Sequence, residues 1–278
     1  MKRNYLLNKT IASVLYLILF LPVANAQELF KNDELTTSKL ENRTWVVETS
    51  DMTTMYILEG DDQAMLIDTG TKCEDLDNVV RRITQKPLVV VLTHNHRDHA
   101  GNINYFDEVY MHPSDTTIST NSYYEGVYKW MKDGDVFDLG GRKIEVYEMT
   151  GHTPGSVIFV DRSIQAAFTG DTFGSGQVWL QLKPHVPMTE YYASCVRMEK
   201  LMKEQNITKL YVGHYPHVKR LLGISYIKDM KNLAKKLSEG NISGAKDYPN
   251  MGLDIACEKP MIAVNGQAMI VFDPENIN

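Results

Sequence analysis

The densest group of potential metal ligands in the 278-residue chain is the segment THNHRDH, residues 93 to 99. It follows the apolar run PLVVVL and contains three of the eight histidines in the chain. In an extended segment alternate side chains share a face, so His94 and His96 can point to one place. Asp98 and His99 follow an expected bend and can point to a second place. Because imidazole and carboxylate groups both bind zinc, this loop can begin two adjacent metal sites.

Three further potential ligands each follow a strand-like run and lie beside a glycine, which lets the backbone turn sharply. They are His152 in TGHTPGS, Asp171 in FTGDT and His214 in YVGHYP. Each is ambiguous alone, but their recurrence at strand ends predicts that they complete the ligand sets begun by the loop. Three other histidines are predicted to be structural or surface groups: His112, His185 and His217. His185 and His217 could alternatively lie at the border of the pocket.

The ordered motifs HxHxDH, GHTPGS, GDT and a late GH resemble those of the metallo-β-lactamase-fold hydrolase superfamily. The resemblance covers residues 44 to 216 and is specific to the superfamily rather than to one substrate. It implies an α+β fold, a four-layer αβ/βα sandwich of two mixed β-sheets with helices on the outer faces.

The resemblance also implies a role for each motif residue. The first metal ion would be held by His94, His96 and His152, the second by Asp98, His99 and His214, with Asp171 bridging both. Asp68, in LIDTG, matches an early family motif and is interpreted as a group that orients a ligand histidine. The alternative for Asp68 is a turn-forming aspartate.

A dinuclear centre of this kind implies hydrolysis. Two Zn²⁺ ions are expected, with Fe or Mn as alternative metals. Two ions that share a water lower its pKa towards neutrality, and the resulting hydroxide attacks a carbonyl or phosphorus. Asp98 is the catalytic candidate, because a carboxylate beside that hydroxide can orient it and carry its proton. The expected substrate is a small-molecule ester, lactone or thioester.

Three alternatives remain open. The family's zinc β-lactamases usually carry a cysteine at the position of Asp171, and an aspartate there resembles the glyoxalase II, lactonase and phosphodiesterase branches. β-Lactamase activity is therefore disfavoured, although an exported enzyme would suit it. Phosphodiester hydrolysis is the second alternative. The third is a non-catalytic metal-binding protein of the envelope, which is opposed because complete ligand sets usually accompany an open water position.

Residues 1 to 26 have the features of an export signal. Lys2, Arg3 and Lys9 precede the apolar run IASVLYLILFL, and the small-residue motif ANA ends at Ala26. We therefore expect cleavage after Ala26, a periplasmic or secreted protein, and no stable membrane anchor. Loss of these three positive residues changes the net charge from −6 to −9. An acidic protein repels phosphate backbones, so no nucleic-acid partner is expected.

The remaining sequence predicts the elements that position the ligands. Residues 27–43 are interpreted as a polar lead-in and residues 44–278 as one domain. Short apolar runs such as TWVVET and SVIFVD predict strands, and Asn265-Gly266 predicts a hairpin. MTEYYASCVRMEKLMKEQN predicts a long helix with Thr189 as its N-cap.

The pocket and the cysteines are less constrained by the sequence. Three aromatic residues near the predicted ligands are candidates for the pocket wall, with core packing as the alternative: Tyr124, Trp179 and Tyr215. The three cysteines show no CxxC spacing, so either one disulfide or three buried thiols is compatible with the sequence: Cys73, Cys195 and Cys257. The oligomeric state stays open.

Overall fold

A computed structural model describes residues 27–118, 124–174, 176–218 and 220–278. The predicted signal peptide, residues 1–26, lies outside the described residues, as do residues 119–123, which immediately precede Tyr124. Within the described ranges, no helix is long and apolar enough to cross a membrane.

The amino-terminal half forms an eight-stranded mixed sheet. Its strands are β1 (Gln27–Lys31), β2 (Leu35–Glu41), β3 (Thr44–Thr49), β4 (Thr54–Glu59), β5 (Ala64–Ile67), β6 (Leu88–Val91), β7 (Glu108–Met111) and β8 (Val127–Trp130). They lie in chain order across the sheet. Pairing is antiparallel from β1 to β5 and parallel from β5 to β8.

Two further sheets come from the carboxy-terminal half. The second sheet contains β9 (Val136–Asp138), β10 (Lys143–Glu148), β11 (Val157–Asp161), β12 (Ala166–Phe168) and β14 (Lys209–Tyr211). Its order is β14-β12-β11-β10-β9, and only the β12–β14 pair is parallel. The third sheet contains β13 (Val178–Trp179), β15 (Lys246–Asp247), β16 (Met261–Asn265) and β17 (Ala268–Phe272). β16 and β17 form the hairpin predicted from Asn265-Gly266.

In the part of the chain that the structure describes, five α-helices accompany the sheets: α1 (Leu76–Ile83), α2 (Arg97–Ala100), α3 (Met188–Glu204), α4 (Tyr215–Val218) and α5 (Ile224–Ser238). Three short 3₁₀ turns lie at Ile103–Tyr105, Pro113–Thr117 and Arg162–Ile164. α1 packs on the outer face of the first sheet, and α3 and α5 pack on the outer face of the second.

A hydrophobic layer joins the inner faces of the two large sheets. Tyr56 and Ile67 from the first sheet pack in one cluster with Phe159 and Phe168 from the second. Within β6, Val90 packs towards the α1 side and Val91 towards this inner layer, so the strand is buried on both faces. The order helix, sheet, sheet, helix confirms the predicted four-layer α+β sandwich, to which the structure adds the small third sheet.

The segment 27–43 is more ordered than its polarity predicts. It forms β1 and β2 instead of a loose lead-in, and β2 pairs antiparallel with β3. Leu35, Thr37 and Ser38 are buried there. Strands near a sheet edge satisfy their backbone groups by pairing and accept threonine and serine on a half-exposed face, so the polar composition concealed the strands.

Helix α3 begins earlier than predicted. Pro187 rather than Thr189 is the N-cap residue, and it makes no side-chain capping bond. Residues from the end of the chain accept the first backbone N–H groups instead: Ile277 O bonds Met188 N at 2.7 Å, and Asn278 Oδ1 bonds Thr189 N at 3.2 Å. Because these acceptors are distant in sequence, local capping rules could not identify them.

Candidate metal centre

Three histidines converge at one edge of the sandwich. Potential ligand atoms of His94, His96 and His152 lie within 4.8 Å of one another. His96 Nδ1 and His152 Nε2 are 2.9 Å apart. Burial lowers the pKa of all three histidines, and repulsion between the rings adds to this for His94 and His96. The pKa of His96 is lowered to about 3 by these effects together. The rings are therefore neutral and present lone pairs, as metal ligation requires.

A second cluster adjoins the first and consists of Asp98, His99, Asp171 and His214, with potential ligand atoms again within 4.8 Å. His214 Nε2 lies 3.3 Å from Asp98 Oδ2 and 3.2 Å from Asp171 Oδ2. Burial acts to lower the pKa of both histidines, but the neighbouring carboxylates outweigh it. They raise the pKa of His99, and they raise that of His214 to about 10. Without metal these protons partly neutralise the carboxylates, so bound cations would replace them.

Asp171 joins the two clusters. Its Oδ2 lies 3.7 Å from His152 Nε2 in the first cluster and 3.2 Å from His214 Nε2 in the second. Its Oδ1 lies 3.4 Å from His99 Nε2. A carboxylate at this position could contribute an oxygen to each ligand set.

Unpaired polar atoms test whether these residues fit metal ions. Among the described residues, His94 Nε2 is buried without a hydrogen-bond partner. His99 Nε2 and Asp171 Oδ1 are also buried and form no hydrogen bond, although they face each other at 3.4 Å. An unsatisfied buried polar atom costs about 1–3 kcal/mol, and such atoms are rare. Nitrogen and carboxylate donors turned to a common point are the ligand types of divalent metals. The residues therefore fit a divalent metal centre.

Each of three histidine rings is oriented by a hydrogen bond at its Nδ1 atom. His99 Nδ1 bonds Asp68 Oδ2 at 2.8 Å. His152 Nδ1 bonds the carbonyl oxygen of Trp179 at 2.8 Å, and His214 Nδ1 bonds that of Met52 at 3.0 Å. These bonds assign the proton to Nδ1 and leave Nε2 for a metal ion. The predicted orienting role of Asp68 thus has a defined partner, His99.

Glycine is required beside His214 because the backbone approaches the cluster closely. A Cβ atom at Gly213 would lie 2.3 Å from Asp171 Oδ1 and 2.7 Å from the Cε1 atom of His99. Gly170 has a φ of 48°, and its Cβ would lie 2.3 Å from Thr93 Oγ1. The glycines noted beside the strand-end ligands therefore make room for the site.

Asp115 supports the site but was not predicted from the sequence. It accepts bonds from the backbone N–H of Asn95 at 3.0 Å and of Gly155 at 2.6 Å, and from the Thr153 hydroxyl at 2.9 Å. It thereby ties the loop of residues 93–99 to the loop that holds His152. Its sequence signal is an aspartate shortly after strand β7, which resembles many turn-forming aspartates.

A cavity of about 900 Å³ opens over the clusters, lined by His96, Asp98, His152, Asp171 and His214 among others. Trp179 and His217 line it, whereas Tyr124 and Tyr215 do not. Two sequence candidates for the pocket wall therefore lie elsewhere: the Tyr124 hydroxyl bonds Phe106 O at 2.9 Å, and Tyr215 packs against the core around α3 and α5.

The other side chains left open by the sequence have structural positions. His112 Nε2 bonds Glu148 Oε1 at 2.9 Å, outside the cavity. His185 Nε2 lies 3.6 Å from Asp273 Oδ2 and is also outside the cavity lining. The cysteines are buried free thiols: Cys73, Cys195 and Cys257.

The sandwich and its paired histidine–aspartate clusters define a metallohydrolase. The family model of the metallo-β-lactamase superfamily matches residues 49–214, more than half of the chain, and the chain belongs to that superfamily. It is accordingly a metal-dependent hydrolase.

Curated relatives include acyl-coenzyme A thioesterases. That of Gallus gallus is 26% identical over 209 residues, covering 60% of this chain and 74% of its own. A hydroxyacylglutathione hydrolase of Francisella philomiragia is 24% identical over 163 residues, covering 58% and 64% respectively.

Solved structures share the fold. A metallo-β-lactamase from Pontibacter korlensis has a TM-score of 0.58 and 18% identity, covering 73% of this chain and 99% of its own. A protein solved in a di-iron-bound form has a TM-score of 0.52 and 25% identity, covering 63% and 91%.

Proposed function

We propose that the protein is a dinuclear zinc hydrolase of the bridging-aspartate branch, which cleaves an ester, lactone or thioester at its carbonyl carbon. The observation that carries this proposal is the sharing of Asp171 between two ligand sets, with Oδ2 3.7 Å from His152 Nε2 and 3.2 Å from His214 Nε2. The names of the thioesterase and hydroxyacylglutathione hydrolase relatives favour a thioester among these substrates.

Most of the candidate ligands would hold the metal ions, and Asp98 would in addition transfer a proton. His94, His96 and His152 would hold one ion, and Asp98, His99 and His214 the other. When bound, the ions supply Lewis acidity and make a water acidic enough to act as a nucleophile near neutral pH.

Asp98 is the group placed to handle the proton. Its side chain is 42% exposed and lines the cavity, whereas the Asp171 side chain is 10% exposed. His99 and the hydrogen bond from His214 keep the pKa of Asp98 below its usual range against the opposing effect of burial. Asp98 is therefore a carboxylate at neutral pH, able to orient an attacking water and accept its proton.

The proposal includes export. The amino-terminal features described above support removal of residues 1–26 and a periplasmic or secreted mature protein with a small-molecule substrate. Mass spectrometry of the protein isolated from its native host tests this point. A mature chain that begins at Gln27 is expected, and a retained amino terminus would contradict it.

A hydrolase panel tests the activity. Purified mature protein loaded with zinc is assayed against chromogenic esters, a lactone, thioesters, nitrocefin and bis(p-nitrophenyl) phosphate, before and after chelation. Chelator-sensitive hydrolysis of the carbonyl substrates is expected. Turnover of only nitrocefin or only the phosphodiester would contradict the proposed substrate class, and chelator-resistant turnover would contradict metal dependence.

A further inference from the structure

We propose that the substrate is an anionic amphiphile: an acyl thioester or ester with an apolar acyl chain and a negatively charged leaving group. This inference rests on the proposed function and narrows the substrate class of the same site. It follows from two sets of residues that line the cavity together with the metal-binding residues and are called its apolar and cationic walls below.

The apolar wall consists of five side chains, two of which are exposed. Leu253 and Ile255 line the cavity while 44% and 39% exposed, and Leu182, Trp179 and Met269 line it with them. Contiguous exposed apolar surface on a soluble protein commonly marks a binding site. An acyl chain laid against this wall would remove it from water, with a gain of about 0.8 kcal/mol per buried methylene group.

The apolar wall is attached to the metal-binding residues through the backbone. Lys183 N bonds Ile255 O at 2.7 Å, and Leu182 forms an isolated β-bridge with Ala256. Trp179, earlier in the same strand-and-loop segment, orients His152 through its carbonyl oxygen. A chain on this wall would therefore have a defined position relative to the ligand His152.

The other wall is cationic. Lys72 and Arg97 line the cavity, and neither forms a salt bridge with any residue that the structure describes. The segment before Lys72 packs closely against Gly101 at the end of α2. A Cβ atom at Gly101 would lie only 2.5 Å from the Thr71 methyl group. Two unpaired cations at one cavity of a chain with net charge −6 favour a carboxylate or phosphate on the ligand.

Asp98 and Asp171 line the same cavity as the apolar residues and the cations. A substrate that contacted both sets would therefore have its scissile bond in the cavity that the metal-binding residues line. In the reaction, a water oxygen bonds to the acyl carbon and the bond from that carbon to sulfur or oxygen breaks. The proton lost by the water goes to the departing thiolate or alkoxide, so the products are a carboxylic acid and a thiol or alcohol.

Matched thioesters test both walls in the zinc-loaded protein. The probes are acetyl, butyryl, hexanoyl and octanoyl thioesters of 4-mercaptobenzoate and of its uncharged methyl ester, with each rate corrected for uncatalysed hydrolysis. We expect kcat/KM to rise about fourfold per added methylene that is fully buried. We also expect an approximately tenfold preference for the anionic series, as one charge-assisted hydrogen bond would give.

Variants test which cavity residues cause the charge preference and the dependence on chain length. Lys72→Met should reduce the preference for the anionic series several-fold, whereas Lys200→Met, the same change at a 71% exposed lysine of α3 outside the cavity lining, should retain it. Ile255→Ser should flatten the dependence on chain length, whereas Val264→Ser, at a 61% exposed position on β16 outside the cavity lining, should not.

The outcomes separate this inference from the proposed function. Metal-dependent hydrolysis of all probes without a chain-length or charge preference would overturn the inference and leave the hydrolase proposal standing. Preferences that survive in both cavity variants would overturn the assigned walls. Failure of the zinc-loaded protein to hydrolyse any carbonyl substrate would contradict the proposed function itself.

Discussion

His99 and Asp68 form a 2.8 Å hydrogen bond between Nδ1 and Oδ2, with both side chains nearly inaccessible to solvent. Asp68 also accepts bonds from the Thr93 backbone N–H at 2.7 Å and from its hydroxyl at 2.9 Å. One carboxylate thus fixes both the start of the loop of residues 93–99 and the ring orientation near its end.

Replacing this carboxylate should weaken metal binding. Asp68→Asn preserves the shape but removes an acceptor for His99 Nδ1, and loss of such a partner typically costs about 10- to 100-fold in metal affinity or activity. Competition with a metallochromic chelator measures the affinity. Asp61→Asn, at an exposed surface carboxylate, is the control and should bind metal as the wild type does. Equal affinities for all three proteins would refute the role of Asp68.

Adding one methyl group at Gly213 should disrupt the second cluster. The new Cβ would lie 2.3 Å from Asp171 Oδ1, so Gly213→Ala forces the carboxylate or the strand end to move. We expect at least a tenfold loss of kcat/KM with the fold retained by circular dichroism, because misplaced catalytic groups lose about that much or more. Gly223→Ala, whose Cβ would lie 3.5 Å from Thr208 O, is the matched control. Full activity of Gly213→Ala would show that the close approach is unimportant.

The buried pair of Arg142 and Asp161 should stabilise the sandwich. Arg142 bonds Asp161 Oδ2 through Nε at 2.7 Å and reaches across the sheets to Thr44 Oγ1 at 2.7 Å. Arg142→Met leaves a buried carboxylate without its cation, so urea unfolding should show a loss of about 3–5 kcal/mol. Arg162→Met, which breaks a pair with a 53% exposed arginine, should cost under about 1 kcal/mol. Similar losses in both variants would contradict this account.

Low pH should remove the contribution of Glu199 to the free energy of unfolding. Glu199 pairs with Lys203 on α3 and with Lys231 on α5, and the second pair joins the two helices. Hydrogen bonds and charge from these lysines lower the pKa of Glu199 to about 2. Because the pKa is lower in the folded protein, the stabilisation is complete above the unfolded value of 4.5 and is lost as the pH falls towards 2.

Glu199→Gln should accordingly destabilise the protein by about 1 kcal/mol at pH 7, a modest value because Lys203 is 58% exposed. In urea unfolding the difference from the wild type should shrink between pH 5 and pH 3. Glu204→Gln, in an exposed pair on the same helix, should show little difference at any pH. A Glu199→Gln effect that is independent of pH would rule out the ionic explanation.

The sequence was most informative where candidate ligands are local to a motif. His94, His96, Asp98 and His99 occupy one loop, and strand periodicity with glycine indicated the turns that carry the other candidate ligands, which the structure brings close together. The role of Asp115 was missed because it depends on partners 20 to 40 residues away. β1 and β2 were missed because pairing, rather than apolar composition, stabilises them.

The residues that line the cavity also could not be predicted from the local sequence. In the sequence, Tyr124 and Tyr215 were as good candidates for the pocket wall as Trp179. Which of the three aromatic rings lines the cavity depends on the course of the backbone, which the local sequence does not determine. Leu253 and Ile255 come from a loop near the end of the chain that carries no motif, and a tertiary contact with residues 181–183 brings them to the site.

Metal stoichiometry measured together with turnover tests whether hydrolysis requires two metal ions per chain. Metal-depleted mature protein is titrated with Zn²⁺ while bound metal and hydrolysis of the preferred thioester or ester are followed in the same sample. We expect no turnover without metal, and full turnover at two bound ions per chain. Undiminished turnover of the metal-free protein, or saturation of binding and turnover at a single ion, would contradict the dinuclear centre built around Asp171.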